Sequence, residues 1–95
     1  MLFLSFATER GGNGQERRVR RASWHYPEGM HVVAEYWLQT PDPKVVMVIE
    51  ADSMAPIMAA IQDWEDLFEI RVFPAVTAEE GLKYARAQMK ETQPA

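Results

Sequence analysis

MHVVAEYWLQ (residues 30–39) and KVVMVIEAD (residues 44–52) are two β-rich runs, and the turn TPDP (residues 40–43) joins them. Branched and aromatic residues at this density are typical of strands, and prolines confined to the connection are typical of a turn. The pattern predicts a long β-hairpin. An isolated hairpin is not stable in water, so we expect the rest of the chain to cover at least one of its faces.

The turn sets the expected register of this hairpin. If Gln39 faces Lys44, strand alternation gives the hairpin one uniform face and one mixed face. The uniform face is apolar or nearly so: Val32, Ala34, Tyr36, Leu38, Val45, Met47, Ile49 and Ala51. The mixed face combines charged and apolar side chains: His31, Val33, Glu35, Trp37, Val46, Val48 and Glu50. We expect helices to cover the uniform face.

Before the hairpin, the sequence predicts one strand and one helix. Residues 2–7 are dense in Leu and Phe and predict the strand, and the glycine-rich breaker 11–14 ends it. Asn13 followed by Glu16 resembles a capping box, which predicts a helix that runs to about Trp24. The residues spaced to meet the sheet are Val19, Ala22, Ser23 and Tyr26.

After the hairpin, the sequence predicts a helix, a strand and a further helix. The first helix, residues 54–63, begins after Asp52 or Ser53, and its buried stripe is Met54, Ile57, Met58 and Ile61. The strand covers residues 67–73. Thr77 with Glu80 forms a second capping box, which predicts a helix over residues 78–89. Its narrow apolar seam is Ala78, Leu82, Ala85 and Met89.

This order predicts an α+β fold of the ferredoxin-like type, βαββαβ with an added C-terminal helix, as a single domain over residues 1–95. Right-handed crossovers place both connecting helices on one face of a four-stranded antiparallel sheet. The other face is then bare, although it is expected to carry several large apolar residues: Phe3, Val33, Trp37, Val46, Val48 and Phe73. Because such a patch is unusual on a soluble monomer, we expect a homodimer, sheet against sheet.

Composition narrows the classes of function. The 95 residues include no cysteine, which excludes disulfides and thiolate metal sites. A net charge of −4 argues against a dedicated nucleic-acid-binding protein. No apolar run approaches the length of a membrane span, so we expect a soluble cytoplasmic protein with no nucleic-acid or membrane partner. We expect neither a cofactor nor a metal, because no motif for one is present.

Several short motifs resemble one prokaryotic family. They are PEG (27–29), EYW (35–37), VIEAD (48–52), DW (63–64) and EIRVFPAV (69–76). The family is described as domain of unknown function 3303, and the similarity covers roughly residues 1–76, departing most in the arginine-rich stretch 11–26. The resemblance implies the dimeric α/β-barrel group, which includes YciI-like proteins and small cofactor-free monooxygenases. It implies a fold and a dimer, and it transfers no catalytic residue.

The mixed face is the best candidate for a site. The candidates for lining a ligand cavity are His31, Glu35, Trp37, Glu50 and Arg71, and those for the dimer face are Val33, Val46, Val48 and Phe73. A histidine near a carboxylate suits general-base chemistry, and apolar neighbours suit a small organic ligand. The alternative is that these charges pair with one another, or across the dimer, to make buried polar groups tolerable.

Other candidates have simpler interpretations. His25 has no second metal ligand at a fixed spacing, so we interpret it as a residue of the turn. The basic run Arg17–Arg21 lacks interleaved aromatic residues, so a solvated or partner-facing helix is favoured over a phosphate-binding surface. The acidic cluster Asp63–Asp66 lacks the glycine-punctuated spacing of a calcium loop and is interpreted as a solvated connector.

Three hypotheses for function remain open. The first is a small dimeric protein that binds a small organic molecule in a cavity between the sheet face and the helices. The second is a cofactor-independent, barrel-type enzyme that uses His31 with Glu35 or Glu50. The third is a purely structural or interaction module. A cavity separates the first two from the third.

Overall fold

In the computed structural model, seven elements follow one another along the chain. The structure describes residues 1–92. The strands are β1 (Leu2–Glu9), β2 (His31–Trp37), β3 (Val45–Glu50) and β4 (Phe68–Ala75). The helices are α1 (Gly14–Ser23), α2 (Ala55–Trp64) and α3 (Ala78–Thr92). This is the predicted order, with β1, β4 and α3 each longer than the sequence indicated.

The four strands form one antiparallel sheet in the order β2-β3-β1-β4. With α1 and α2 as crossovers between strands, this is the ferredoxin-like arrangement that the sequence predicts. Helix α2 and Trp24, the residue after α1, contribute to a core that rests on one sheet face, whose central members are Phe3, Ile49 and Ile57. Phe3 was expected on the bare face, but it is only 3% exposed, because its partner across the sheet is Ile49. That expectation was wrong.

The hairpin register differs from the predicted one. Trp37 lies opposite Val45, and the backbone N–H of Leu38 donates to the carbonyl of Lys44 at 2.8 Å, so the connection is longer than a four-residue turn. The longer connection has a partner in β1. The N–H of Lys44 donates to the carbonyl of Ala7 at 2.7 Å. The register is therefore set partly by β1, which lies far away in the sequence.

An irregularity between Val32 and Ala34 completes the change of register in β2. Beyond it, Ala34 and Tyr36 pair with Val48 and Val46, while Glu35 pairs with Met47. Residues that face one another across antiparallel strands point to the same side of the sheet. The predicted uniform face is thus correct for β3 and wrong for most of β2, where Glu35 and Trp37 replace Ala34 and Tyr36 on the helix-covered side.

Helix α1 also lies differently from the prediction. None of its residues is fully buried, and Val19, which was expected to meet the sheet, is 66% exposed. Ala22 and Ser23 are exposed too. The half-buried positions are spaced at helical period and are arginines for the most part: Arg17, Arg20 and Arg21. The basic run therefore supplies the inner side of α1, and the predicted apolar stripe was wrong.

Helix α2 meets the core largely as expected. Ile57 is 2% exposed, and Pro56 occupies the first turn, where its missing N–H costs little. Met58 was expected in the buried stripe but is exposed. Trp64, which the sequence assigned to a connector, is instead the last residue of the helix and is buried. The apolar side of α2 is thus displaced toward its C-terminal end.

The caps and helix α3 show which local signals were reliable. The Thr77 hydroxyl accepts a hydrogen bond from the N–H of Glu80 at 3.1 Å, which confirms Thr77 as a cap. Asn13 precedes α1 without capping it through its side chain, since its amide oxygen accepts a hydrogen bond from the Arg17 guanidinium at 3.3 Å instead. The predicted seam of α3 lies at the surface, with Leu82 exposed.

Candidate functional site

A cavity of about 270 Å³ lies between the sheet and the two helices α1 and α2, and we call it the α1–α2 cavity. Its wall is mainly apolar and aromatic: Ala7, Trp24, Met30, Trp37, Val45, Met47, Ile49, Ile57, Ala60, Ile61, Trp64, Phe68 and Ile70. The polar and charged residues of the wall are fewer: Ser5, Arg17, Arg18, Arg21, Glu35, Gln39 and Lys44. An apolar wall with a few polar groups is typical of sites for small organic molecules.

All three tryptophans of the chain line the cavity. Trp24 meets Trp64 edge to face, with ring centroids 5.5 Å apart. The Trp24 indole N–H donates to Asp63 at 2.9 Å, and the Trp37 indole N–H donates to Glu35 at 2.7 Å. The hydrogen bonds hold two of the rings in fixed orientations, so this part of the wall is preformed.

Glu35 is the centre of the polar network in the wall. Its side chain is only 10% exposed and accepts two hydrogen bonds from Arg21, at 3.1 and 3.2 Å. The Tyr26 hydroxyl donates to the same carboxylate at 2.7 Å. Together with the Trp37 indole, four donor contacts reach one carboxylate from α1, β2 and the segment between them. This carboxylate is fully engaged and links α1 to the sheet.

The pKa values follow from these contacts. Burial alone would raise the pKa of the Glu35 carboxyl, but the hydrogen bonds that it accepts, led by those from Arg21, hold that pKa below its usual value. The hydrogen bond to Glu35 raises the pKa of the Arg21 guanidinium despite its partial burial. Burial and the adjacent carboxylate raise the pKa of the Tyr26 phenol. At neutral pH, Glu35 is therefore a carboxylate and a poor candidate for a general acid.

Two other arginines hold α1 in place. Arg17 pairs with Glu9 at 2.8 Å and lies 5.7 Å from the centroid of the Phe68 ring. Arg20 makes two hydrogen bonds to Asp66, at 2.8 and 2.9 Å, and lies over the Trp64 ring. Each guanidinium thus combines a carboxylate with an aromatic face, for which a planar cation is suited.

These contacts correct the interpretation of two clusters. The basic run was read as a solvated or partner-facing surface, yet three of its arginines pack inward. The acidic connector was read as solvated, yet Asp66 binds Arg20 and Asp63 binds the Trp24 indole. The Arg20 hydrogen bond lowers the pKa of Asp66. Arg20 of the basic run and Asp66 of the acidic cluster are therefore partners of each other.

The structure divides the predicted cavity residues between the two sides of the sheet. Glu35 and Trp37 line the α1–α2 cavity. His31, Glu50 and Arg71 lie on the side away from the helices, which we call the open face. The altered register of β2 is the reason, since it turns Glu35 and Trp37 inward. The expected constellation of His31 with Glu35 is not formed.

The remaining candidates on the open face are exposed. His31 lies opposite Glu50 across the β2–β3 pair, and the Glu50 carboxylate forms an ion pair with the amino group of Met1. The Arg71 guanidinium lies 5.3 Å from the centroid of the Phe73 ring. None of these three charged residues belongs to the wall of the α1–α2 cavity. They cannot act on a ligand held there.

The predicted dimer-face residues share the open face. Val46, Val48 and Phe73 pair there with Phe6 and Leu4 of β1. The Phe6 and Phe73 rings meet edge to face at 6.0 Å, and Phe73 is still 43% exposed. Val33, at the irregularity of β2, is exposed as well. This patch of the open face is apolar, and no helix within residues 1–92 covers it.

The sequence interpretation missed several residues of the cavity, above all Arg18, Arg21 and Lys44. The spacing of Arg17, Arg20, Arg21 and Trp24 fits one side of a helix and could have indicated an inward-facing arginine stripe. His25 is exposed, as its turn position suggested. Within residues 1–92, no three His, Asp or Glu side chains converge as a metal site would require, and no helix there is long and apolar enough to cross a membrane.

Fold and site together define a ferredoxin-like α+β protein with an apolar cavity beneath its two crossover helices. The chain belongs to the family described as Domain of unknown function (DUF3303), which matches residues 1–89. This confirms the family resemblance carried by the short motifs. No curated protein and no solved structure matches the chain. The function therefore has to be argued from the cavity itself.

Proposed function

We propose that the protein binds a small organic molecule with an apolar body in the α1–α2 cavity. The observation that carries this proposal is a cavity of about 270 Å³ whose wall is mainly apolar and aromatic. Sites for drug-sized ligands span about 300–1,000 Å³, so the volume suits a smaller molecule. The polar groups of the wall are few. In sites of this kind the apolar wall buries most of the ligand, and the few polar groups fix its orientation.

The cavity is supported on rigid parts of the fold, which favours binding. The core residues Ile49 and Ile57 form part of its wall and are almost fully buried. On the opposite side, the Arg21–Glu35 pair and the Trp37 indole tie the wall together. A preformed site loses little conformational freedom when a ligand enters, so more of the contact energy is realised as affinity.

The three tryptophans make the proposal directly measurable. All of them line the cavity, so a ligand that enters it changes their environment. Titration with the neutral probe octanol should give a saturable change of tryptophan fluorescence. Native mass spectrometry of the full chain should show a retained molecule or added probe. If octanol gives no saturable change and no bound species is seen, the proposal is wrong.

A matched pair of variants on α2 locates the site. Ala60 lines the cavity, whereas its neighbour Ala59 is exposed and does not. Ala60→Phe fills the cavity and should weaken octanol binding by roughly tenfold or more, which corresponds to about 1.4 kcal/mol. Ala59→Phe should leave affinity unchanged. Equal affinity of both variants would place the octanol elsewhere and contradict the proposal, provided that circular dichroism shows both folded.

We also propose that the open face pairs with a second copy of the chain. Val46, Val48 and Phe73 support this, because they form an apolar patch that no helix of the described residues covers. An isologous dimer would bury the same patch of both copies. Sedimentation equilibrium should show a dimer for the wild type and a monomer for Val48→Lys. Val19→Lys, on the outer side of α1, should remain dimeric, and a monomeric wild type would contradict the proposal.

A further inference from the structure

The charged residues of the α1–α2 cavity do not balance. The wall contains four cationic side chains, Arg17, Arg18, Arg21 and Lys44, and one carboxylate, Glu35. This positive surplus occurs in a chain whose net charge is −4. An acidic protein offers many carboxylates to its cations, so a surplus of positive charge at one cavity requires a reason.

Two of the four cations are neutralised by the fold. Arg21 pairs with Glu35, and Arg17 pairs with Glu9 at the end of β1. Both pairs have little exposure, with the Arg17 side chain 13% exposed. Their donors and charges are used to attach α1 to the sheet, so these two arginines are not available to a ligand without breaking the pair.

Arg18 and Lys44 are different. Within the part of the chain that the structure describes, neither forms an ion pair. The Lys44 ammonium donates one hydrogen bond, to the carbonyl of Leu38 at 2.8 Å, and has further donors to offer. Arg18 lines the cavity and is exposed, with its guanidinium beside Gly14 at the start of α1. Both cations can reach a ligand without giving up a carboxylate.

We infer that the ligand of the α1–α2 cavity is an organic acid, whose apolar body fills the cavity and whose anionic head group is bound by Arg18 and Lys44. The inference rests on the proposed function of the cavity. A carboxylate matches the planar fork of an arginine and accepts charge-assisted hydrogen bonds from an ammonium group. The Arg21–Glu35 pair lies in the same wall, but its charges cancel, so it does not oppose the head group.

Three probes with the same apolar chain separate the contribution of charge from that of burial. They are octanoate, octanol and octylammonium, each titrated against the full chain at neutral pH with tryptophan fluorescence as the readout. Octanoate should bind roughly tenfold or more tightly than octanol, and octylammonium more weakly than either. Added salt should weaken octanoate binding and leave octanol binding unchanged, since only the former includes an interaction between charges.

Variants assign the head group to its two residues. Arg18→Gln and Lys44→Gln should each weaken octanoate binding by about tenfold while octanol binding stays constant, which also verifies that the cavity is intact. Lys44→Arg retains the charge and should retain most of the preference for octanoate. Arg86→Gln and Lys83→Gln on α3 remove the same charges outside the cavity wall and should change nothing.

The outcomes distinguish this inference from the proposal on which it rests. If octanol binds as tightly as octanoate, or if the Arg18 and Lys44 variants lose affinity for both probes equally, the organic-acid inference is wrong and the cavity remains a binding site. If none of the three probes binds, the proposed function fails, and the inference fails with it. Selective loss of octanoate binding in both variants supports the two together.

Discussion

Helix α2 meets the sheet with apolar side chains, whereas helix α1 meets the same face of the sheet with arginines. In α2, Ile57 and Trp64 are buried, and both side chains line the cavity. In α1, no residue is fully buried, and long side chains span the distance to their partners. Arginine stems pack on apolar surface while the charged ends reach carboxylates beyond it. The cavity lies between the sheet and both helices, so the arginines of α1 form one part of its wall and the apolar side chains of α2 form another.

The contacts that hold the two helices to the sheet also respond differently to pH. Burial of apolar surface, which holds α2, changes little with moderate changes of pH. The contacts of α1 depend on carboxylates that have to be ionised, and Glu35 is the most buried of them. We therefore expect α1 to be the first part of the helical layer to loosen in acid, and α2 to define the global stability.

The largest effect is expected at α2. Ile57→Ala removes a side chain that is 2% exposed, and the cavity that it leaves should lower the free energy of unfolding by about 2–5 kcal/mol. Chemical denaturation followed by circular dichroism measures the change. Met58→Ala, at the next position of the same helix, is exposed and should cost less than about 0.5 kcal/mol. Similar costs at both positions would contradict the assignment of the buried side of α2.

A smaller effect is expected at the anchor of α1. Glu35→Gln retains a similar shape but removes the charge that Arg21 binds, so the free energy of unfolding at pH 7 should fall by about 1–3 kcal/mol. The variant should also bring the arginine-held helix closer to local unfolding. Denaturant titrations of the wild type and the variant at pH 7 give the difference.

The pH dependence gives the same prediction a second, independent readout. The folded pKa of Glu35 lies below its unfolded value of about 4.3, so its contribution is present above that pH and is lost as the pH falls through the folded pKa. The stability of wild type and Glu35→Gln should therefore converge in acid. Glu69→Gln, an exposed carboxylate on the open face, should show no such convergence. Parallel curves for wild type and Glu35→Gln would contradict the role of the pair.

The order of elements, the strand character of the hairpin and the inner face of β3 were predictable from local signals. Val45, Met47 and Ile49 recur at every second position, the side-chain period of a strand, and lie on one face of the sheet. Thr77 caps the helix that it was expected to cap. Such signals act between residues close in sequence, and each is read directly from spacing. The topology follows from them, because only a few arrangements join these elements with right-handed crossovers.

The hairpin register was not predictable, because distant contacts set it. Lys44 hydrogen-bonds to Ala7 of β1, and the Glu9 N–H donates to the carbonyl of Pro41 at 2.9 Å, so the connection is fixed by a strand more than thirty residues away. A change of one residue in register exchanges the two faces of a strand. That single difference placed Glu35 and Trp37, two of the five expected cavity residues, on the wrong side in the prediction.

The orientation of α1 could not be read from hydrophobicity, because arginine counts as polar wherever its stem lies. The spacing of Val19 and Ala22 indicated an apolar side, but each of the inward arginines finds its carboxylate in another element: Glu9, Glu35 and Asp66. Those partners lie outside α1, and local spacing does not show which carboxylate each arginine binds. The spacing of the arginines could indicate a stripe on one side of the helix, but its partners are identified only when the charges are placed in space.

The smallest effect is expected at Val19, and it tests the orientation of α1 most directly. Val19 was predicted to meet the sheet, but it is 66% exposed. Val19→Ala should therefore change the free energy of unfolding by less than about 0.5 kcal/mol, with a slight gain from the better helix propensity of alanine. A core valine truncated in the same way would leave a cavity and cost considerably more. A loss of about 2 kcal/mol or more at this position would mean that the apolar side of α1 faces the sheet after all. The arginine-covered cavity, and both proposals for its ligand, would then lose their structural basis.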